Sequence, residues 1–441
     1  MNGKPREMTA MQKIDLPENV RKIISVLETA GYEAYAVGGC VRDSVLRTVP
    51  KDWDITTSAL PGRVKALFPR CIDTGTKHGT VTVMIGKTGY EVTTFRVDGS
   101  YSDGRHPDSV AFTDRLSEDL LRRDFTINAM AYSERTGIVD LFGGMEDLKE
   151  GIIRAVGVPR ERFSEDALRI MRLARFSAQL GFRAEENTLR AAKELSGNLR
   201  LVSAERIREE FMKTLRSDHP EKILLLQEIG AMPVFFPELS AALPGDHGGP
   251  AEERIRALGE GTADPILRLS VLFDIVRQAQ GLSPDRMVKL SDARLRALKF
   301  DNHSREQVLY LMRFSEEPLP SDPPALRLLL SRTGKADFPL LLSFRQMNPD
   351  EEGKTDFKAV FEAFQGILGR GECTSVAELS VSGNDLIAQG QKPGKSLGLI
   401  LKNLLSLVLS DPSLNTKETL LQIAEEMQRD FGKSQKADQE S

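Results

Sequence analysis

The sequence predicts two regions of different class: an α/β head with a mixed sheet over about the first 150 residues, and an all-helical region over the rest of the 441-residue chain. In the first region short β-branched segments alternate with helical ones, which is typical of a sheet covered by helices. After about residue 150 strand patterns almost vanish, and segments with apolar residues at helical spacing follow one another. The low aromatic content of 6% also favours a helix-rich protein over an all-β one.

Each element of the α/β head follows from a local pattern. Helical spacing of apolar residues in "ENVRKIISVLETAGY" predicts a helix that Gly31 ends. "EAYAVGG" predicts a strand that ends in glycines, "VRDSVL" a helical turn, "DWDITT" a strand, and "PGRVKALF" a helix with Pro61 near its start. "GTVTVMIG" and "YEVTTFRV" predict a strand pair across the turn "KTG". The polar, glycine-containing segment "DGSYSDGRHPDS" predicts a mobile loop.

Composition excludes several classes of protein. No segment approaches the about 20 apolar residues of a membrane span, and the N-terminal residues lack the apolar core of a secretory signal. The most apolar segment, "SLGLILKNLLSLVLS", carries Lys402 in its middle and predicts a buried amphipathic helix. Three widely separated cysteines exclude a disulfide scaffold and fit the cytoplasm. With a net charge of -4, any surface that binds nucleic acid must be local.

The segment "KDWDI" carries two acids, Asp52 and Asp54, two residues apart in a predicted strand. Because strand side chains alternate, both carboxylates would project from one face, about 6.5–7 Å apart. Such acids repel each other unless a cation lies between them, and Mg²⁺ prefers oxygen ligands. Two carboxylates can share two ions, as in phosphoryl transfer. Solvated acids on an edge strand are the alternative, and Glu91 in the next strand pair is either a third carboxylate or a solvated residue.

The segment "GGCVRD" favours a metal site at Asp52 and Asp54 over a pair of solvated acids. Gly38 and Gly39 end a strand and precede a helix, and without Cβ atoms they let backbone N–H groups approach a phosphate closely. Arg42 can then reach the phosphate oxygens. An ordinary strand-to-helix turn is the alternative. The glycine turn, the basic residue and the acid pair lie within 17 residues, and together they indicate a nucleotidyl-transfer site.

The segment "LLRRDFTINAMAY" adds an arginine pair before an apolar stretch that contains Asn128. Arg123 is a candidate phosphate clamp, because a guanidinium offers a planar fork of donors. An ion-paired helix start at the surface is the alternative for Arg122 and Arg123.

The segment "FSEDALRIMRLARF" predicts a helix with Ser164 as N-cap and Asp166 in its first turn. Arginines then recur at steps of three: Arg169, Arg172 and Arg175. Three arginines among apolar residues are costly unless an anion or another polar ligand satisfies them. Asp166 as acceptor beside Arg169 as donor has the chemistry to read the edge of a nucleobase. A plain helix start is the alternative.

Taken together, these motifs resemble the bacterial tRNA nucleotidyltransferases of class II, the CCA-adding enzymes, which are grouped with bacterial poly(A) polymerases. The matched motifs are "GGCVRD", "DWDI", "RRDFTINAMA", "DLFGG" and "EDALRIMRLARF". The resemblance is strong from about Tyr32 to Phe182 and weaker in the helical tail. It implies a polymerase-beta-type nucleotidyltransferase head and an elongated, all-helical neck, body and tail. The corresponding ranges are 1–151, 152–215, 216–325 and 326–441.

The resemblance also implies a role for each matched residue. The metal carboxylates are Asp52 and Asp54, with Mg²⁺ as the ion. The phosphate contacts are Gly39, Arg42 and Arg123. The base-reading and neighbouring residues of the nucleotide site are Asp166, Arg169, Arg172 and Arg175. The implied partners are CTP, ATP and the 3′ end and acceptor arm of tRNA, with no membrane and no stable protein partner.

The implied reaction is attack of the terminal ribose hydroxyl on the α-phosphate, which joins two CMP units and one AMP and releases pyrophosphate. Members that add only CC tend to lack the loop after the head strands, and the presence of "RVDGSYSDGRHPDSV" argues against that activity. An A-adding enzyme and a poly(A) polymerase stay open, although "EDALR" favours the tRNA enzymes. A non-catalytic RNA-binding protein is the alternative of another class, and the intact Asp52 and Asp54 count against it.

Overall fold

The computed structural model describes residues 13–75, 79–99, 110–243, 248–348, 355–391 and 393–437. Of the loop predicted at residues 98–109, residues 100–109 lie outside these described residues, and Asp98 belongs to a strand instead. The chain divides into two compact units, Met1–Arg268 with Ala293–Asp301, and Leu269–Asp292 with Asn302–Ser441. The predicted head and neck fall in the first unit, whereas both units share the predicted body. The division into head, neck, body and tail stays a prediction.

A mixed sheet forms the centre of the first unit. The strands are β1 (Ala34–Val37), β2 (Ile55–Thr57), β3 (Cys71–Gly75), β4 (Thr80–Ile85), β5 (Thr88–Thr94), β6 (Arg96–Asp98), β7 (Val110–Phe112), β8 (Met130–Ser133), β9 (Gly137–Asp140), β10 (Ile152–Ile153) and β11 (Arg183–Ala184). Seven of the described strands form one sheet in the order β3-β4-β5-β2-β1-β8-β9. β2 and β5 are parallel and the other neighbours in it are antiparallel. This confirms the α/β head with a mixed sheet.

Helices cover this sheet and then dominate the chain. Those that begin in the first unit are α1 (Glu18–Thr29), α2 (Gly39–Val45), α3 (Pro61–Leu67), α4 (Leu116–Leu121), α5 (Gly144–Glu150), α6 (Pro159–Glu165), α7 (Leu168–Leu180), α8 (Glu186–Leu195), α9 (Ala204–Arg216), α10 (Leu224–Glu228), α11 (Met232–Phe235), α12 (Pro237–Ala242), α13 (Pro250–Arg256) and α14 (Pro265–Ala279). α1 buries Val20, Ile23 and Leu27, and the Gly31 N–H (φ 88°) donates to the Glu28 carbonyl just beyond its end. Both features confirm the amphipathic helix that the sequence predicts.

The second unit is helical throughout its described residues. Its further helices are α15 (Pro284–Ala297, shared with the first unit), α16 (Asn302–Arg313), α17 (Pro323–Thr333), α18 (Phe338–Met347), α19 (Phe357–Gly369), α20 (Gly383–Ala388), α21 (Lys395–Ser410) and α22 (Lys417–Ala437). α21 is the helix predicted from "SLGLILKNLLSLVLS": Leu404 and Val408 are buried in a core with Leu386 and Leu420, and Lys402 is exposed. None of the described helices is long and apolar enough to span a membrane.

The strand predicted over "DWDITT" is shorter than expected. β2 begins at Ile55, so Asp52 and Asp54 lie in the loop before it, and the prediction that both acids belong to a strand is wrong. The Asp54 carbonyl still accepts the Val37 N–H at 3.0 Å, but β1 ends at Val37 because Gly38 turns the chain into α2. Strand alternation therefore does not set the directions of the two carboxylates.

The helix predicted to start at Ser164 starts later. Ser164 lies in α6, and α7 begins at Leu168, so the N-cap at Ser164 and the first-turn position of Asp166 are wrong. Pro159 at the first turn starts α6 early, as proline commonly does. Asp166 interrupts the helical path with φ -140° and ψ 103°, and its carboxylate accepts the Leu168 N–H at 3.0 Å. Asp166 thus caps α7 from just before its start.

Candidate active site

The turn between β1 and α2 depends on Gly38. Its φ of 82° lies in the left-handed region that favours glycine, and its N–H donates to the Met130 carbonyl at 3.0 Å. A Cβ atom built on Gly38 would lie 3.1 Å from Nη1 of Arg123, and one on Gly39 would lie 3.6 Å from Nη2 of Arg42. Two of the predicted phosphate-binding arginines therefore reach the glycine turn.

Arg42 is held beneath this turn. It is 4% exposed, its Nε donates to the Asp43 carboxylate at 2.8 Å, and its Nη1 donates to Oδ1 of Asn128 at 2.7 Å. Asn128 ends a short 3₁₀ turn, Thr126–Asn128, that precedes β8. Because both partners are buried or half-buried, the guanidinium keeps one orientation.

The motif "DLFGG" supports the 3₁₀ turn that carries Asn128. Oδ1 of Asp140 accepts the Gly144 N–H at 2.9 Å, and Oδ2 accepts the Met145 N–H at 2.8 Å. A Cβ atom on Gly144 would come too close to the Thr126 carbonyl oxygen, so only glycine allows α5 to approach there. The motif is therefore structural, and it holds the turn that carries Asn128.

Asp52 and Asp54 are both exposed, and neither forms an ion pair within the described ranges. The pKa of Asp54 is raised, mainly because the surrounding protein removes part of its hydration, and also because Glu91 and Asp52 are negative. Arg123 acts in the opposite direction. Glu91 and Asp52 thus lie close enough to Asp54 for their charges to act on it. Among the described residues, however, no group of three His, Cys, Asp or Glu side chains is arranged to hold a metal ion, so a ligand role of Glu91 stays open.

Arg122 and Arg123 follow the end of α4 and share one buried carboxylate, that of Asp119. Arg122 donates to it from Nε (3.1 Å) and Nη2 (2.7 Å), and Arg123 from Nη2 (3.4 Å). Burial alone would raise the pKa of Asp119, but the two arginines lower it. The predicted ion pairing is present, at a helix end instead of a helix start. Nε of Arg123 has no hydrogen-bond partner in the part of the chain that the structure describes.

A buried acid that the sequence did not reveal, Asp124, connects this region to α7. Oδ2 of Asp124 accepts Nε of Arg172 at 2.7 Å, and Oδ1 accepts the Phe125 N–H (2.8 Å) and the Asn128 amide (3.2 Å). Burial raises the pKa of Asp124, but the charge of Arg172 and these hydrogen bonds outweigh it and lower the pKa to about 2. A continuous polar path therefore runs from Arg42 through Asn128 and Asp124 to Arg172.

Each arginine of the α7 row has a carboxylate partner within the protein. The pairs are Arg169 with Glu165 (2.7 Å), Arg172 with Asp124 (2.5 Å) and Arg175 with Glu210. Arg169 also donates to the carbonyl oxygens of Arg162 and Arg122. The desolvation cost that predicted an external anion is thus offset internally. A nucleotide-binding role for the row stays a prediction.

Asp166 and Arg169 are close in sequence but have different partners. The Asp166 carboxylate accepts Nη2 of Arg206 at 2.8 Å, whereas Arg169 pairs with Glu165. Arg206 and Glu210 lie four residues apart on α9, so both face α7. That spacing in "AERIREEF" could have shown that Arg206 and Glu210 share a face, but not which residues they contact.

Models of known protein families match three parts of the chain. A family model described as the poly A polymerase head domain matches residues 34–154. Models described as the probable RNA and SrmB-binding site of polymerase A and as a putative tRNA nucleotidyltransferase domain 2 match residues 181–243 and 287–424. The fold and the site thus define an enzyme of the nucleotidyltransferase class with a poly(A) polymerase head. Enzymes of this class generally use a divalent metal ion.

Full-length relatives narrow the class. The chain is 38% identical over 425 residues to the CCA-adding enzyme of Lactobacillus helveticus, with 95% of this chain and 100% of the relative covered. It is 35% identical over 427 residues to that of Leuconostoc mesenteroides, with the same coverage. The chain belongs to the family of CCA-adding enzymes.

Solved structures show the same fold. The Bacillus stearothermophilus CCA-adding enzyme in complex with CTP matches with a TM-score of 0.75 at 32% identity, over 94% of this chain and 98% of that one. The Thermotoga maritima CCA-adding enzyme complexed with tRNA matches with a TM-score of 0.61 at 21% identity, over 93% and 94% of the two chains. At that lower identity the likeness concerns the fold alone.

Proposed function

We propose that this protein adds CMP and AMP, from CTP and ATP, to the 3′ end of tRNA without a nucleic-acid template, and so builds or repairs the CCA end. The observation that carries the proposal is an acid pair, Asp52 and Asp54, that forms no ion pair among the described residues, in a chain whose full-length relatives are CCA-adding enzymes. A polar path from Arg42 to α7 joins the predicted phosphate contact to the predicted base-reading helix.

Asp52 and Asp54 would hold the metal ion, and Mg²⁺ fits them. Their mutual repulsion, together with that of Glu91, raises the pKa of Asp54 beyond the effect of burial, and a cation would relieve it. Mg²⁺ is commonly held by one or two carboxylates with water and substrate phosphates completing its shell, so a third protein ligand is not required. When bound, the ion supplies activation of the ribose hydroxyl and neutralisation of the leaving pyrophosphate.

The glycine turn and two arginines would hold the triphosphate. The turn lies beside both guanidinium groups, since a Cβ atom on Gly38 would lie 3.1 Å from Arg123 and one on Gly39 3.6 Å from Arg42, and Arg123 keeps one guanidinium nitrogen without a described partner. Arg42 is fixed by Asp43 and Asn128, so a phosphate oxygen would meet an oriented donor. Preorganised donors of this kind stabilise charge that develops during transfer.

Asp166 and Arg169 would select the base. Cytosine and adenine both present an exocyclic amino donor beside a ring-nitrogen acceptor, which a carboxylate and a guanidinium can match, whereas uracil and guanine present the opposite pattern. Because Asp166 is bound to Arg206 and Arg169 to Glu165, a bound base would share these partners or replace them. Arg172 and Arg175 would keep α7 in place through Asp124 and Glu210.

The helical tail, residues 326–441, would hold the tRNA by its shape and backbone, as helical RNA is usually recognised. The protein would carry out this reaction in the cytoplasm. One experiment tests the proposed function: the purified protein is incubated with tRNA that ends before CCA, before CA and before A, and each nucleotide is supplied separately. Addition of two C and then one A supports CCA synthesis. Addition of A alone indicates an A-adding enzyme, extension of unrelated RNA indicates a poly(A) polymerase, and no release of pyrophosphate indicates a non-catalytic RNA-binding protein.

A further inference from the structure

Three guanidinium groups lie over one buried phenylalanine ring, that of Phe176 on α7. The guanidinium carbon of Arg42 lies 5.3 Å from the ring centroid, that of Arg172 5.2 Å and that of Arg175 3.7 Å. Phe125 meets the same ring edge to face, at 5.7 Å and 80°. Phe176 is 4% exposed, so water screens these contacts little.

The three cations come from two helices of the first unit. Arg42 belongs to α2, directly behind the glycine turn, whereas Arg172 and Arg175 belong to α7. Their carboxylate partners are also separate, namely Asp43, Asp124 and Glu210. The ring is therefore a contact that the two helices share.

The face of an aromatic ring is negative, and it attracts a cation within about 6 Å of its centroid. Like-charged guanidinium groups repel one another, so a ring among them lowers the cost of bringing α2 and α7 together. An aliphatic side chain of similar volume would fill the space without this attraction. The ring also acts in parallel with the polar path through Asn128 and Asp124, which joins Arg42 to Arg172 by hydrogen bonds.

We propose that Phe176 is a positioning residue that keeps the phosphate contact at Arg42 in register with the base-reading segment that precedes α7, and that it acts through the negative face of its ring. This inference rests on the proposed function. With the register fixed, a nucleotide gains both contacts only when its base fits. A weaker ring face therefore raises KM for CTP and ATP together and narrows the preference for CTP over UTP.

The test changes the ring's electrostatics and nearly preserves its volume. In the full-length protein, Phe176 is replaced by mono-, di- and trifluorinated phenylalanine, because each fluorine withdraws electron density from the ring face. The same series at Phe163 is the matched control: that ring is fully buried, and within the described ranges no cation lies over it. KM and kcat for CTP and ATP, the Kd of CTP and UTP, and the melting temperature are measured for each protein.

We expect KM and Kd for CTP to rise stepwise with the number of fluorines at position 176, by about 2- to 30-fold in total, the equivalent of one cation–π contact. The melting temperature should fall as well, because the same attraction stabilises the packing of α2 against α7, and KM and Kd should stay unchanged across the Phe163 series. The positioning role would be overturned if KM and Kd did not change across the Phe176 series. It would also be overturned if both series lost nucleotide affinity equally, in proportion to their fall in melting temperature. Absence of nucleotide addition by the unsubstituted protein would instead contradict the proposed function, and the Kd series would still decide the role of Phe176.

Discussion

Asp52 and Asp54 are exposed and form no ion pair with a described residue, whereas the three arginines of α7 are each paired with a carboxylate of the protein. Both groups looked equivalent as candidate ligand sites in the sequence, because each concentrates one sign of charge. The fold gives each arginine of α7 an ion-pair partner, whereas it gives Asp52 and Asp54 none among the described residues.

This difference distinguishes residues available to bind an external ion from residues that fix the position of a helix. An acid pair that forms no ion pair with a described residue keeps a favourable interaction for an external cation, and its removal breaks no such pair. A paired arginine inside the protein has already used that interaction to fix a helix, so its removal leaves a buried carboxylate without a partner. Substitutions at Asp52 and Asp54 should therefore change chemistry, and substitutions around α7 should change positioning and stability together.

The largest effect is expected at the acid pair. Asp52→Ala or Asp54→Ala should lower kcat for both CMP and AMP addition by on the order of 10²–10⁴-fold, because each removes a proposed metal ligand. The fold and tRNA binding should be unaffected, as judged by melting temperature and gel shift. Glu146→Gln is the matched control, since the ion pair that this exposed acid on α5 forms among the described residues is with Lys149. Near-normal turnover in either alanine variant with Mg²⁺ would place the active site elsewhere.

The second effect concerns base selection. Asp166→Ala should lower kcat/KM for CTP and ATP and narrow the gap to UTP by about 5- to 150-fold, the value of a bidentate base contact. The competing role is the helix cap, because Asp166 accepts the Leu168 N–H. Asp356→Ala controls for that role, since Asp356 caps α19 through the Ala359 N–H. Both variants should lose some stability, and only Asp166→Ala should lose selectivity. A destabilised Asp166→Ala protein that still prefers CTP over UTP as strongly as before would rule out base reading.

The acid pair and the α7 arginines also show how much of the structure can be predicted from the sequence. The glycine turn, the strands around it and the amphipathic α1 follow from local patterns, since backbone conformation and burial periodicity are local properties. Asp52 and Asp54 were found as a pair, but their place outside β2 was not, because the end of a ladder is set by the neighbouring strand. A period-two pattern does not contain that information.

The ion-pair partners of the arginines could not be predicted from the sequence for a different reason. Asp124 is 48 residues from Arg172, and Asp166 is 40 residues from Arg206. Only the packing of α7 against its neighbours brings these pairs together, and helical spacing gives the shared face without the partner. The interpretation that the row needed an anion or another polar ligand did not take such partners into account.

A smaller effect is expected when Asp166 is kept and its partner is removed. Arg206→Ala should free the Asp166 carboxylate and lower the CTP-to-UTP preference by less than Asp166→Ala, by about 2- to 10-fold, the value of one hydrogen bond. Arg294→Ala is the control, because Arg294 forms a similarly buried pair with Glu238 at 2.7 Å. Selectivity measured with all four nucleotides checks this. An unchanged preference would show that Arg206 supports only the fold.

The last effect concerns the stability of the protein in acid. The pKa of Asp124 is lowered from 3.8 to about 2, so its pairing with Arg172 stabilises the folded protein fully above about pH 4 and less as the pH falls towards 2. The difference between the two pKa values corresponds to about 2 kcal/mol of unfolding free energy. Asp124→Asn has no carboxyl group to protonate, so it should be less stable than the unsubstituted protein at pH 5. This deficit should shrink by about 2 kcal/mol between pH 5 and pH 2. Urea unfolding of both proteins across this range measures it, and the other acids cancel in the comparison. A deficit that stays constant with pH would show that Asp124 contributes through its hydrogen bonds alone, and the α7 row would then lack one of its three charge partners.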